Sequence, residues 1–186
     1  MIKGEIVVRT LDEYLYPEIH YNFQDTEIPL HRASSTVSEL APLFLYLKYV
    51  VEPGSVLIIE EPEAHLHPKN QRILAAFLVK LIRSGVTILI TPHSEYLLDQ
   101  LSSFIMLSKV EPQKRIEKYN YNEEDFLKTE EIAAYVFNYD KRSGGNEITE
   151  VEITEEEGIL QDEFIKIHEA LYEETIRLRK ELSGEA

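Results

Sequence analysis

Two short, unbroken apolar runs constrain this chain most, because each ends in polar residues that carry chemistry. Val56-Leu57-Ile58-Ile59 follows the turn Pro53-Gly54 and runs into Glu60-Glu61-Pro62-Glu63-Ala64-His65-Leu66-His67-Pro68. Thr87-Ile88-Leu89-Ile90-Thr91 follows Gly85 and runs into Pro92-His93-Ser94. Continuous β-branched runs of this length predict strands buried on both faces of a parallel sheet. Between them, residues 69–83 hold Ile73, Leu74, Phe77, Leu78, Leu81 and Ile82 at helical spacing. Strand, helix and strand in that order make a βαβ crossover, for which the right-handed connection is the rule.

The flanking sequence predicts an α/β fold around this unit. Residues 2–10 and 18–23 read as two short strands of a small antiparallel sheet. Ser34-Ser35-Thr36 precede residues 37–50, which are apolar at Leu40, Leu43, Phe44, Leu47 and Val50; this is a helix with hydroxyl residues at its N-cap. Further on, the pattern predicts a helix over 94–101, a strand over 104–107 and a polar stretch to residue 128. A short helix over 129–137, a turn at Ser143-Gly144-Gly145-Asn146 and an alternating strand over 147–153 follow. Residues 161–182 form a closing helix with Phe164, Ile167, Leu171, Thr175 and Leu178 on one face.

Composition narrows the function. The chain carries 34 acidic and 19 basic side chains, a net charge of −15, and most of that excess falls after residue 110. An acidic half repels phosphate backbones, so direct nucleic-acid binding there is disfavoured. There is no cysteine, which removes disulfides, thiolate zinc sites and cysteine nucleophiles. No apolar run reaches the ~18 residues of a membrane span, and the first residues lack the layout of a signal peptide. A cytoplasmic protein with no membrane partner is the expectation.

The carboxylates at the end of the first run carry the chemistry. Open α/β sheets place their ligands at the carboxyl ends of their strands. Adjacent carboxylates repel unless a cation or hydrogen-bond donors compensate them, and Mg2+ is a fitting oxygen-seeking ion. As a residue pair alone, Glu60-Glu61 also fits two exposed acids at a strand end. His65 and His67 flank Leu66 beside Glu61 and Glu63, but a zinc site needs further placed ligands that sequence does not show.

The run from Val56 to Pro68 resembles the Walker B strand and following D-loop of ABC-class ATPases. Its Glu-Glu-Pro-Glu-Ala-His-Leu-His-Pro wording is similar to the SMC-like, RecF-like and overcoming-lysogeny-defect ATPases. Arg32-Ala33-Ser34-Ser35-Thr36-Val37-Ser38-Glu39-Leu40 resembles their signature motif, and Ile88-Leu89-Ile90-Thr91-Pro92-His93-Ser94 their strand that ends in the switch histidine. Gly158-Ile159 to Phe164 and Leu171-Tyr172-Glu173-Glu174 resemble the C-terminal helix of the "AAA ATPase-like" branch. The resemblance implies that Glu60 holds Mg2+, that Glu61 polarises the attacking water and that His93 contacts the γ-phosphate of ATP. It implies that Ser34, Ser35 and Thr36 meet the nucleotide of a second subunit, and that Glu63, Ala64, His65, Leu66 and His67 form a D-loop at the dimer interface. Thr36 departs from the glycine of many relatives, and its Cβ restricts close backbone approach.

One part of the expected machinery is not in this sequence. Gly-x-x-x-x-Gly-Lys-Ser/Thr does not occur, and no glycine is followed by lysine. A P-loop needs that glycine-rich nest and its lysine. The expectation is therefore the C-terminal lobe of an ABC-type P-loop NTPase: one partial ATPase domain over residues 1–186, with its motif core in 1–110 and an acidic extension in 111–186. Its partners would be a P-loop half or subunit and a second head in an ATP-driven dimer, with nucleic acid engaged only through the complete protein. Two other readings compete. One is a non-catalytic interaction protein derived from an ATPase half. The other is a metal-dependent nuclease built on Glu60, Glu61, Glu63, His65 and His67, against which the net charge counts.

Overall fold

The structure, a computed structural model, describes residues 3–10, 16–140 and 144–183. Ile2 and Ser143, which the sequence placed in a strand and a turn, lie outside the described residues. The chain divides into two units, residues 1–100 with 112–125, and residues 101–111 with 126–186.

In the first unit, β1 (Glu5–Thr10), β2 (Pro17–Phe23) and β3 (Thr26–Pro29) form an antiparallel sheet in that order. The third strand is too short to read from sequence. It exists because Gln24 and Asp25 take φ of 48° and 62°, a left-handed pair that closes a two-residue hairpin. α1 (Ser35–Tyr49) starts at Ser34, whose Oγ accepts from the Val37 N–H at 3.4 Å.

β4 (Val56–Glu60) and β5 (Thr87–Thr91) pair in parallel, with Val56 opposite Thr87 and Glu60 opposite Thr91. α2 (Pro68–Arg83) joins them, so the βαβ unit forms as expected. His67 caps α2 by accepting the Lys69 N–H on Nδ1, Pro68 sits in the first turn where its missing N–H is harmless, and Gly85 ends the connection at φ 89°. Leu40, Leu66, Leu74 and Leu78 make the core, with Phe44, Ile59, Phe77, Ile88 and Ile90 packed against it. Each such side chain contributes roughly 1.5–3 kcal/mol on burial. The expectation of strands buried on both faces fails: Leu57, Ile59, Ile88 and Ile90 are buried or half-buried, but Val56, Ile58 and Leu89 are 65%, 65% and 55% exposed. Among the described residues, one face of this strand pair is packed and the other is open. α4 (Pro112–Tyr119) interrupts the expected polar stretch; its Arg115 is buried, donates to the Glu123 carbonyl at 2.6 Å and is held below its ordinary pKa by that burial.

α3 (Glu95–Met106) runs from the first unit into the second. It overturns the strand expected over 104–107: Leu97, Leu101, Phe104 and Ile105 are all buried at helical spacing. A four-residue apolar run does not by itself distinguish strand from helix. The helix expected over 129–137 also fails. Only a 3-10 turn (Thr129–Glu131) forms there, and β6 (Ala134–Asp140) pairs antiparallel with β7 (Gly145–Val151). Tyr135, Phe137 and Tyr139 alternate, which suits a ribbon rather than a helix. β8 (Ile153–Thr154) and β9 (Gly158–Ile159) form a small second ribbon, and α5 (Asp162–Ser183) closes the chain as expected. None of the described helices is long and apolar enough to cross a membrane.

Candidate functional site

The carboxyl ends of β4 and β5 lie side by side, so the residues that follow them meet. Glu60 closes β4 opposite Thr91. In a regular strand Glu61 would point to the opposite face. Instead its φ is 44°, and this left-handed step takes its side chain out of the alternation. The Glu61 N–H donates toward Thr91, at 3.3 Å from the carbonyl and 3.4 Å from Oγ1. Glu61 Oε1 then stands 3.9 Å from His93 Nε2, with the two side chains 60% and 76% exposed. The structure thus brings together the two residues that sequence placed in catalytic roles. Both face solvent, where an incoming ligand can reach them.

The loop between β4 and α2 is two successive turns. Ala64 N–H donates to the Glu61 carbonyl at 2.9 Å and Leu66 N–H to that of Glu63 at 3.0 Å. His65 sits at φ 58° with its side chain exposed, while Pro62, Glu63 and Leu66 are buried. A left-handed non-glycine residue costs about 1–2 kcal/mol and persists only where surroundings fix it. Here a buried network does so. Glu63, only 6% exposed, accepts the His93 N–H on Oε1, while its buried Oε2 has no hydrogen-bond partner among the described residues. Gln71, 8% exposed, donates from Nε2 to the Leu66 carbonyl at 3.0 Å and accepts from the Ser94 hydroxyl on Oε1.

Sequence reasoning gave no role to Gln71 or Ser94, or to Thr91 as a partner of Glu61. One signal was available for Gln71. It is a polar residue on the apolar face of α2, at helical spacing from Leu74, Ala75 and Leu78. The resemblance assigns Glu63 to a D-loop at a dimer interface together with Ala64, His65, Leu66 and His67; within this chain its carboxylate is buried. Leu66 is likewise a core residue, and His67 is spent on capping α2.

Ser34 and Ser35 are exposed and Thr36 half-buried at the start of α1. No hydrogen bond or ion pair joins them to Glu60, Glu61 or His93 among the described residues. No group of three His, Asp or Glu side chains converges as metal ligands among the described residues. Glu60 presents an exposed carboxylate without a hydrogen-bond or ion-pair partner among them. Its oxygens, with those of Glu61 one residue on, are the donors a hard divalent cation would use.

Residues 7–99, half of the chain, match the family model described as "AAA domain, putative AbiEii toxin, Type IV TA system". The chain belongs to this AAA-domain family. The matched segment spans the whole site, from before Ser34 to beyond His93. No curated protein matches the chain. Among solved structures, it is similar to a chain from work on "ATP-driven dimerization and DNA stimulated activation of SMC ATPases", with a TM-score of 0.50 at 12% identity over 91% of this chain and 81% of that one. At that identity the likeness concerns the fold. The AAA-domain assignment makes this an ATPase-type domain, and the expected α/β P-loop-type architecture stands.

Proposed function

We propose that this AAA-domain chain supplies the acid and histidine part of a composite Mg-ATP hydrolysis site. The observation that carries the reading is the convergence of Glu61 and His93 at 3.9 Å where two adjacent parallel strands end. Phosphoryl transfer asks a protein mainly for positioning and charge stabilisation. Glu61 orients and polarises the attacking water, its carboxylate accepting a proton from it. His93 donates to a γ-phosphate oxygen and aligns that group with the water. Glu60 is the residue that would hold Mg2+, through oxygen and with water completing the shell. When bound, the ion would neutralise charge on the β- and γ-phosphates.

The phosphate cradle comes from a P-loop outside these 186 residues. The sequence has no such motif, and the exposed face formed by Val56, Ile58 and Leu89 offers apolar surface beside Glu60 for the segment that carries it. Ser34, Ser35 and Thr36 face the nucleotide of a second head, where small residues and the N–H groups opening α1 suit phosphate oxygens. The description of the similar SMC structure in terms of ATP-driven dimerisation supports this arrangement, as does the exposure of Ser34 and Ser35 here. His65, exposed at the tip of the β4–α2 loop, is the D-loop residue best placed to meet the second head.

Calorimetry with Mg-ATP tests the half-site. This chain alone should bind no nucleotide at millimolar concentration, whereas the protein carrying its P-loop segment should bind and hydrolyse it. In the latter, Glu61→Gln should lower kcat by about 10²–10⁴-fold while ATP still binds. Unchanged turnover would reject the role of Glu61. Tight Mg-ATP binding by the isolated chain would reject the need for an outside P-loop.

A further inference from the structure

We infer that Glu63 and Gln71 form a buried clamp that locks the β4–α2 loop to the loop after β5 and so sets where His93 stands relative to Glu61. They are positioning residues, and their effect on hydrolysis rests on the ATPase reading above.

The two loops are held together at their tips by side chains rather than by a strand ladder. The ladder stops at Glu60 and Thr91. Beyond it, the Glu63 carboxylate takes the His93 N–H, and Gln71 bridges the Leu66 carbonyl to the Ser94 hydroxyl. Each side chain reaches from one loop, or the first turn of the helix after it, to the other. The clamp grips the backbone of His93 and the side chain of the next residue, and leaves the imidazole exposed. Pro92, which has no N–H, precedes this anchor, so its backbone offers no donor at that position to replace the His93 N–H.

The burial of both groups argues for a specific task. A carboxylate buried to this degree, with one oxygen lacking a hydrogen bond among the described residues, is an unfavourable way to satisfy a single N–H. A water molecule would fill the space equally well. What the side chain adds is an acceptor oxygen tethered to the β4–α2 loop, a directional constraint from one loop to the other. That constraint acts on a residue whose imidazole is 76% exposed and, among the described residues, makes no hydrogen bond, its Nε2 standing 3.9 Å from Glu61 Oε1. The turns at Glu61 and His65 complete the unit. Both are left-handed, so the loop has a defined shape that Glu63 can transmit.

Amide hydrogen exchange on the full chain tests the clamp without reference to ATP. In Glu63→Ala the His93 amide should exchange about ten-fold faster than in wild type while amides of the β4–β5 ladder keep their rates. Glu63→Gln keeps an acceptor oxygen in place and should stay within about three-fold of wild type. An unchanged His93 rate in a folded Glu63→Ala chain overturns the clamp. If that variant loses ladder protection throughout, Gln71→Ala decides instead: selective acceleration at His93 and Ser94 supports the clamp, and unchanged rates reject it.

The catalytic consequence is read separately, in the protein with its P-loop segment. Glu63→Ala should lower kcat about 10²-fold with KM within about three-fold, and Glu63→Gln should recover most of the loss. Equal kcat in wild type and Glu63→Ala removes the positioning role. If wild type itself hydrolyses no ATP, the proposed function fails, and the exchange result still decides whether the clamp exists.

Discussion

Gly158→Ala is the substitution whose effect can be worked most directly from the geometry. Gly158 opens β9 at φ 80°, with its backbone lying on Ser102 of α3, and the neighbouring Ile159 N–H donates to Ser102 Oγ at 3.0 Å. A Cβ at residue 158 would meet Ser102 Cβ and lie 2.6 Å from its Cα and 2.7 Å from its Oγ. These atoms belong to a buried helix backbone and a short side chain, so neither can swing away. The left-handed backbone costs an L-residue about 1–2 kcal/mol. Overpacking adds about 1–3 kcal/mol, and displacement of the Ile159 hydrogen bond about 1 kcal/mol. Reduced freedom of the unfolded chain returns about 0.4–1 kcal/mol. The net is roughly 2–5 kcal/mol, or a fall in Tm of roughly 5–15 °C for a chain of this size. Gly144 is the matched control. It has φ 70° and lies in the same unit, but a Cβ there meets nothing within 4 Å. Gly144→Ala should therefore lower Tm by only a few degrees, from strain alone, at about 1 kcal/mol. Thermal melts followed by circular dichroism compare the two. Equal shifts would refute the argument, because the docking of β9 on Ser102 would then contribute nothing.

Three further outcomes are expected. In the protein carrying its P-loop segment, Ser34→Arg should abolish ATP-driven dimerisation measured by light scattering while removing only an N-cap, about 1 kcal/mol of stability; normal dimers would exclude Ser34 from the second nucleotide site. Leu74→Ala, in the fully buried centre of the α2 face, should lower stability by about 2–5 kcal/mol in urea denaturation, and a change under 1 kcal/mol would mean that the core lies elsewhere. The bidentate pair in which Arg9 donates to Glu27 at 3.0 and 2.7 Å holds the Glu27 carboxyl below its ordinary value through that hydrogen bond. A depressed carboxylate contributes stability above its unfolded value, roughly pH 4.3, and loses it as pH falls through the lower folded value. Glu27→Gln should thus make acid unfolding shallower in that window, by a small amount that vanishes in 1 M salt because both groups are exposed.

The elements legible in the sequence were those whose pattern and caps agree. The βαβ unit was readable because α2 repeats leucines at helical spacing between two runs bounded by Gly54 and Gly85. α1 and α5 were readable for similar reasons. The failures fall where the local signal is shared by two structures. Residues 104–107 are apolar in either a strand or the last turn of α3, and only the continuation from Leu97 and Leu101 decides. Residues 134–140 pair with β7, a partner that a local reading of 129–137 does not contain. In the site, Glu61 and His93 were legible because a motif names them. Gln71 was not, because its partners are a carbonyl and a hydroxyl brought in from other elements.

The largest disagreement between pattern and structure is also the most informative about function. Val56, Ile58 and Leu89 read as core residues, yet they stand more than half exposed. Alternation along β4 puts Glu60 on that same open face, two residues beyond Ile58. A polypeptide that covers these apolar side chains gains about 1.5–3 kcal/mol for each one fully buried, and it necessarily arrives next to the Glu60 carboxylate. Under the proposed function, the segment that completes the sheet is the one that carries the P-loop, and covering this face would bring it to the carboxylate proposed to hold the cation; the sequence itself contains no such motif.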